Sequence, residues 1–236
     1  MIARTPEPRT VRTLTADLRR LGVEPGATVC VHSSLSAIGW VAGGPMAVIH
    51  ALLDTLGPEG TLVMPAHSGD FSDPERWRNP PVPASWIETI RRERPPFDPR
   101  TTQTRGMGAI AELFRTWPEV VRSDHPLASF AAHGPHADQV IAGHVEELGE
   151  RSPIARLYEL DADILLLGVG HDRNTSLHLA ETRCGIVDGD SDRFPELMAG
   201  FHAEHTGLVG SAESQQMRQR AAVDFAIEKF AQIATS

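Results

Sequence analysis

The sequence predicts an α/β fold in which helices flank a central, mostly parallel sheet. Three observations predict it: short apolar runs typical of buried strands, amphipathic stretches between them typical of helices, and glycine or proline at the junctions. Strands that alternate with helices in this way form parallel sheets. No linker or repeat divides the chain, so we expect a single domain over residues 1–236.

The first half of the chain shows this alternation most clearly. Residues 1–9 are polar and contain proline, and we expect them to form a frayed arm. TVRTLTADLRRLG predicts a helix that ends at Gly22, and ATVCVHSSL predicts a buried strand. After the glycine-rich loop GWVAGGP, Pro45 opens a helix that ends at Gly57, and the strand GTLVMPAH follows.

The second half begins with a long irregular stretch, residues 68–104, which is rich in Pro, Asp and Arg. We expect it to be a functional flap with a short helix around Ser85–Arg92. A helix over 106–117 and a strand over 128–134 follow. HADQVIAGH and SPIARLYEL predict short helices, the second capped by Ser152, and ADILLLGVG predicts the most apolar strand. The tail SAESQQMRQRAAVDFAIEKFAQ predicts a closing amphipathic helix.

Composition excludes several classes of protein. The formal net charge is −9, from 31 acidic and 22 basic residues, whereas a nucleic-acid-binding protein carries a basic surface. No run approaches the roughly 18 apolar residues of a membrane helix. The first residues lack the apolar core of a secretory signal. With only two cysteines, Cys30 and Cys184, we expect a cytoplasmic protein without nucleic-acid or membrane partners, and we leave a homodimer open.

Polar clusters follow three of the predicted strands. They are HSSL, HSGD and GHDRN. Ligands of parallel α/β sheets bind beyond the carboxyl ends of the strands, so we expect these clusters to share one cleft. The loop after HSSL resembles a phosphate-binding turn, but its glycine spacing fits neither a nucleotide-binding P-loop nor a dinucleotide fingerprint.

Hydrolase and metal chemistry lack their usual motifs. The sequence contains no G-x-S-x-G elbow, and Cys30 lies inside an apolar strand, where core packing is expected. It contains neither H-E-x-x-H nor a pair of closely spaced cysteines, so no metal is expected.

His178 and Glu181 form the candidate catalytic pair. Both lie in NTSLHLAETR, which predicts a helix, and a spacing of three residues puts them on one face. A carboxylate beside an imidazole fixes its tautomer and raises its basicity, as a general base requires. The pattern fits a surface ion pair, or a buried histidine held by its neighbour, equally well.

Seven segments carry a resemblance to a known family. In chain order they are HSSLSAIGWVAGG, GTLVMPAHS, PPFDP, TRGMGAIAELFRTWP, RSDHPLASFAAHG, LGERSPIARLYELDA and LLLGVGHDRNTSLHLAE. Together they resemble the aminoglycoside 3-N-acetyltransferases, over about residues 10–236. The resemblance implies the antibiotic N-acetyltransferase fold, not the GNAT fold. It also implies an acyltransferase that confers antibiotic resistance, with acetyl-CoA as cosubstrate and an aminoglycoside or other polyamine as acceptor.

Carried over by position, the resemblance implies a role for each segment. His178 would be the general base, and Glu181 would orient it or contact the acceptor. The expected coenzyme-binding residues are His32, Ser33, Ser34, Leu35, Gly39, Val41, Gly43, Thr104, Arg105, Met107, Gly108 and Ser129, with Arg122, Ser123 and His125 near the phosphates or adenosine. For His125 a structural role fits as well. The expected substrate-binding residues are His67, Asp70, Asp98, Asp190 and Asp192, with Asp73 as a further acidic candidate.

One departure from the family leaves the acceptor open. After HLAETR this chain passes directly through CGIVDGDSDRFPELMAGF, where the resembling proteins carry a hairpin-sized insert. A shorter wall would widen the range of aminoglycosides, redirect the enzyme to another amine, or abolish activity. The alternatives are therefore a same-fold acyl-CoA transferase that acts on a biosynthetic amine and a catalytically inactive coenzyme-binding relative.

Overall fold

A computed structural model describes residues 5, 7–186 and 191–234 of the chain. Its centre is one sheet of seven strands. In chain order these are β1 (Thr28–Ser33), β2 (Thr61–Pro65), β3 (Val121–Arg122), β4 (Phe130–His133), β5 (Asp163–Leu167), β6 (His205–Val209) and β7 (Ala212–Arg218). Across the sheet they follow the order β3, β4, β2, β1, β5, β7, β6.

The sheet is mixed, so the prediction of a mostly parallel sheet is wrong. β1 runs parallel to both of its neighbours, β2 and β5. The other four pairings, of β4 with β2 and β3 and of β7 with β5 and β6, are antiparallel. The parallel centre therefore has an antiparallel pair of strands on each side.

The main difference from the sequence prediction lies in the tail. The prediction of a helix throughout is wrong, because the first part of the tail forms β7 and the helix begins only at Gln219. Buried and exposed residues largely alternate along β7, as in a strand with one covered face. Its buried positions include Ser214 and Gln216, and this polarity hides the alternation in the sequence.

Helices cover both faces of the sheet. In chain order they are α1 (Val11–Arg20), α2 (Leu35–Ile38), α3 (Gly44–Leu56), α4 (Ile87–Glu93), α5 (Gly108–Phe114), α6 (Ala137–Ile141), α7 (Pro153–Glu159), α8 (His178–Arg183), α9 (Phe194–Leu197) and α10 (Gln219–Ala234). α1, α3 and α5 pack on one face and α6 to α10 on the other, in two separate hydrophobic clusters.

Successive residues of each central strand enter opposite clusters. Leu165 and Leu167 of β5 join one cluster, and Ile164 and Leu166 join the other. β5 is buried throughout, because helices cover both of its faces. Cys30 is fully buried in β1, and burial raises the pKa of its thiol to about 12, which confirms its role in core packing.

The flap is mainly irregular, as predicted. It contains α4 and three short 3₁₀ turns, Gly69–Phe71, Pro74–Arg76 and Ala84–Trp86. The buried Arg122 of β3 connects the flap to the sheet through hydrogen bonds. Its guanidinium donates to the carbonyl oxygens of Pro99 and Thr102 in the flap and of Ala66 after β2.

Gly168 ends β5 at a point where two other elements approach. Its φ of +69° lies in the left-handed region, and an added Cβ would lie 2.7 Å from Cβ of Ala37 and 2.9 Å from Cβ of Ala212. α2 and the start of β7 therefore close around the end of β5 because this position has no side chain.

We predict that Gly168→Ala lowers the free energy of unfolding by about 2–4 kcal/mol, through backbone strain and overpacking together. Gly185→Ala is the matched control, because Gly185 has a similar φ of +71° and nothing within 4 Å of an added Cβ. It should cost only about 1 kcal/mol. Urea denaturation of both variants measures the difference, and equal losses would contradict a role for close packing.

Candidate active site

A cavity of about 570 Å³ opens where β1, β2 and β5 end. Polar residues from all three strand ends line it, which confirms the predicted shared cleft. They include His32 and Ser33 at the end of β1 and Ser34 just after it, His67 after β2, and Asp172, Arg173, Asn174, Thr175 and His178 after β5. The parallel pairing of β1 with β2 and β5 is what brings these ends to one edge of the sheet.

His178 and Glu181 form a close pair at this cavity. Nδ1 of His178 lies 2.5 Å from Oε2 of Glu181, and their side chains are 24% and 7% exposed. Nδ1 is hydrogen-bonded to the carboxylate of Glu181, so Nε2 is the ring nitrogen that remains available to a substrate. This arrangement matches a carboxylate-oriented general base.

Local packing explains how the chain holds this pair. Thr175–Leu177 forms a 3₁₀ turn that leads into α8, and Leu177, Leu179 and Ala180 are buried in the core. The ring of buried Phe194 packs edge-on against His178, with 5.1 Å between ring centroids. The segment after α8 therefore supports the imidazole through this ring.

The other two histidines of the cavity are electrically neutral. Burial lowers the pKa of His32 to about 3, with His178 and His171 adding to the effect. Burial likewise lowers the pKa of His67 to about 3, with smaller effects from neighbouring histidines. A group with a pKa near 3 is a poor proton acceptor at neutral pH. Neither ring therefore suits the role of general base.

The expected coenzyme residues divide into two groups. His32, Ser33, Ser34, Leu35, Met107 and Gly108 line the cavity. Gly39, Val41, Gly43, Thr104, Arg105 and Ser129 are not among the described residues that line it.

The second group has partners within the protein. Gly39 lies against Thr5, and Val41 bridges to Arg9, so the described part of the expected arm packs on this loop. The hydroxyl of Thr104 donates to Glu112, and that of Ser129 donates to the carbonyl oxygen of Ala66. These contacts support a structural role for both hydroxyls.

The RSDHPLAS segment also makes internal contacts. The hydroxyl of Ser123 is 2.8 Å from Nδ1 of His144, and Nδ1 of His125 accepts hydrogen bonds from the backbone N–H groups of Leu127 and Ala128. The rings of His125 and His144 are stacked. Of the two roles left open for His125, the geometry supports the structural one.

Arginines neutralise the acidic candidates of the flap. Asp70 pairs with Arg105 at 2.9 Å, and Asp73 pairs with Arg91 at 2.9 Å. Asp98 lies 3.7 Å from Arg100. Asp192 is exposed in the 3₁₀ turn Ser191–Arg193, which packs against the turn His171–Arg173 beside the cavity, and Asp190 lies outside the described residues.

Sequence reasoning placed the GHDRN cluster in the cleft but gave no role to its Asp172, Arg173 and Asn174, which line the cavity. It missed Ile110 and Leu148, which add apolar surface to the wall. Leu148 comes from the loop before α7, and nothing in its local sequence indicates that it lies at the site.

Comparison with known proteins agrees with this geometry. A family model described as aminoglycoside 3-N-acetyltransferase matches residues 30–189, more than half of the chain. The chain belongs to this family.

Two curated relatives illustrate the range of similarity. The SPbeta prophage-derived aminoglycoside N(3')-acetyltransferase-like protein YokD of Bacillus subtilis is 44% identical, and the alignment covers 98% of this chain and 95% of that protein. Aminoglycoside N(3)-acetyltransferase IV of Salmonella sp is 43% identical over 75% of this chain and 60% of its own length. The chain therefore aligns with under two thirds of that acetyltransferase.

Solved structures share the fold. The crystal structure of YokD superposes with a TM-score of 0.95 at 41% identity and covers 100% of this chain and 98% of its own. AAC-IIIb, solved as a binary complex with CoASH, has a TM-score of 0.83 at 30% identity, with coverage of 96% and 98%. AAC-VIa bound to sisomicin has a TM-score of 0.81 at 30% identity, with coverage of 94% and 97%.

The described part of the chain offers neither a metal site nor a membrane-spanning helix. No group of three or more His, Cys, Asp or Glu side chains in the described ranges is placed to hold a metal ion. Within the same ranges no helix is long and apolar enough to cross a membrane.

We predict that stability falls as pH falls, because His32 and His67 stay neutral in the folded protein and bind protons when it unfolds. Stability is complete above the unfolded pKa of about 6.5 and declines below it. Between about pH 7 and pH 5 each histidine should cost roughly 2 kcal/mol. Denaturant titrations at both pH values measure the loss, and His32→Asn should make it smaller. An unchanged loss in that variant would contradict the assignment to His32.

Proposed function

We propose that this protein transfers the acetyl group of acetyl-CoA to the amine of a small acceptor, with His178 as the general base. The observation that carries the proposal is the position of the His178–Glu181 pair in the cavity at the strand ends. The inactive coenzyme-binding alternative is disfavoured because both members of the pair are present and in contact.

The cavity also fits the coenzyme. The end of β1 and the start of α5 both line it and contribute small residues, Ser33, Ser34, Gly106 and Gly108. Gly108 has a φ of +82°, a backbone conformation that favours glycine, and a Cβ placed there would lie 3.9 Å from the carbonyl oxygen of Ser33. These small residues leave room for a narrow pantetheine arm. The relative AAC-IIIb, which shares the fold, was solved with CoASH.

The role of His178 follows from the chemistry of amide formation. The thioester supplies the acyl group, and an alkyl amine attacks it only after losing its extra proton. Nε2 of His178 accepts a proton from the acceptor nitrogen as the N–C bond forms and the C–S bond breaks. The same nitrogen then returns that proton to the leaving sulfur, so an N–H and a C–S bond are exchanged for an N–C and an S–H bond.

Aminoglycosides are the first candidate acceptors. AAC-VIa was solved with sisomicin, and a histidine-to-alanine mutant of AAC(3)-IVa was solved with a gentamicin. The net charge of −9 favours attraction of a polycation. The proposed contacts to the acceptor are His67, Asp70, Asp98, Asp190 and Asp192. Acetylation of an aminoglycoside at its 3-amino group, as the family name states, would confer resistance to that antibiotic.

A second candidate is a biosynthetic amine that is not an aminoglycoside. The ion pairs of Asp70 with Arg105 and of Asp73 with Arg91 favour it, because they remove much of the negative charge that the flap would offer to a polycation. The alignment with YokD covers 95% of that protein, which is named only as acetyltransferase-like. This similarity is consistent with either candidate.

Release of free coenzyme A from acetyl-CoA, followed by a thiol reagent, tests the proposal. The panel of acceptors contains gentamicin, apramycin, sisomicin and simple primary amines. Release that yields a singly acetylated aminoglycoside by mass supports the first candidate. Release only with the other amines supports the second candidate. If none of the amines causes release of coenzyme A, the result contradicts acyl transfer altogether.

We predict that His178→Ala lowers turnover about 10²- to 10⁴-fold and leaves coenzyme A binding nearly unchanged, because it removes the general base. Glu181→Gln keeps the shape of the side chain but removes the carboxylate that orients the ring. Its turnover should therefore lie between that of the wild type and that of His178→Ala. Steady-state kinetics and calorimetric binding of coenzyme A measure both effects. Wild-type turnover in His178→Ala would overturn the assignment of the base.

A further inference from the structure

Asn174 has an unusual environment at the cavity. The residue is only 1% exposed, yet it lines the cavity. Its Nδ2 lies 3.3 Å from Nδ1 of His171, whereas its Oδ1 is buried and has no hydrogen-bond partner among the described residues. An unpaired buried oxygen costs about 1–3 kcal/mol. A donor from a bound molecule would remove that cost.

The proposed reaction requires such an acceptor. A primary amine that attacks a carbonyl carbon points its lone pair at that carbon and carries two N–H bonds. Nε2 of His178 accepts one of these protons. The second N–H is left in a site that the substrates fill, where a donor without a partner is costly. One further acceptor close to His178 would satisfy it.

Four other polar side chains of the cavity are less suitable than Asn174. The hydroxyls of Ser34 and Ser36 are 3.1 Å apart and bond to each other. The carboxylate of Asp172 pairs with Arg173 at 3.1 Å. Nε2 of His67 is also buried without a partner, but a neutral ring nitrogen is a donor or an acceptor according to its tautomer, whereas an amide oxygen only accepts.

We propose that Oδ1 of Asn174 accepts a hydrogen bond from the acceptor amine and, together with Nε2 of His178, sets the direction of the amine lone pair. The inference rests on the acyl transfer proposed above. Asn174 transfers no proton; it contacts the substrate and positions it. A site with two such acceptors selects primary amines, since a secondary amine or a hydroxyl group has only one hydrogen to share.

Three variants separate this role from a structural one. Asn174→Leu removes the oxygen at similar volume. Asn174→Asp keeps an oxygen at both terminal positions but loses the donor to His171. His171→Leu removes the partner of Nδ2 and leaves Oδ1 untouched. The assay uses acetyl-CoA with the panel amine that the wild type turns over fastest, and the affinity of each variant for coenzyme A is measured beside it.

We expect Asn174→Leu to lower kcat for the amine about 10- to 100-fold, the range expected for one lost hydrogen bond to a buried group. Its affinity for coenzyme A should stay unchanged, because binding of the coenzyme does not involve the amine. Asn174→Asp and His171→Leu should stay within about threefold of the wild type. Melting temperatures establish that each variant is folded, and Asn174→Ser replaces Asn174→Asp if the latter does not fold.

The remaining outcomes each overturn a distinct claim. A wild type that acetylates no amine overturns the proposed function, and this inference with it. An active wild type matched by Asn174→Leu overturns the role of Asn174 alone. Equal losses in all three variants assign Asn174 a structural role through Nδ2 and overturn the contact with the amine.

Discussion

The parallel pairing of β1 with both β2 and β5 is the constraint on which the site depends. Three strands that run in one direction deliver their carboxyl ends to one edge, and the chain must turn away from the sheet at each of them. β1 lies between its two partners and is covered on both faces, so it has little freedom to shift. The polar turns that follow these strands therefore begin at fixed positions along this edge of the sheet.

Rigidity at the strand ends contrasts with the construction of the flap. Its backbone carries little regular structure, and the buried guanidinium of Arg122 donates to the carbonyl oxygens of Pro99 and Thr102 within it. Burial lowers the pKa of Arg122 to about 10, yet the side chain stays charged at neutral pH. A single cation therefore organises a stretch that hydrophobic packing alone would leave loosely held.

The parts of the fold that are predictable from sequence share a clear physical signal. Apolar runs such as that of β5, and helices closed by glycine such as α3, are recognisable from periodicity. β6 and β7 escape prediction because they are polar and partly exposed, so tertiary pairing decides their structure. The same limit applies to the site: polarity after a strand locates His32, His67 and His178, but only coordinates reveal that the hydroxyls of Thr104 and Ser129 are engaged elsewhere.

The edge-on contact between Phe194 and His178 joins the imidazole to the segment that follows α8. Phe194 is buried, so its ring fills the space on that side of the imidazole. A change in the length of this segment would therefore displace the ring that packs against His178. Variation there leaves the imidazole in place only where an aromatic ring, or an equal volume, stays at this position.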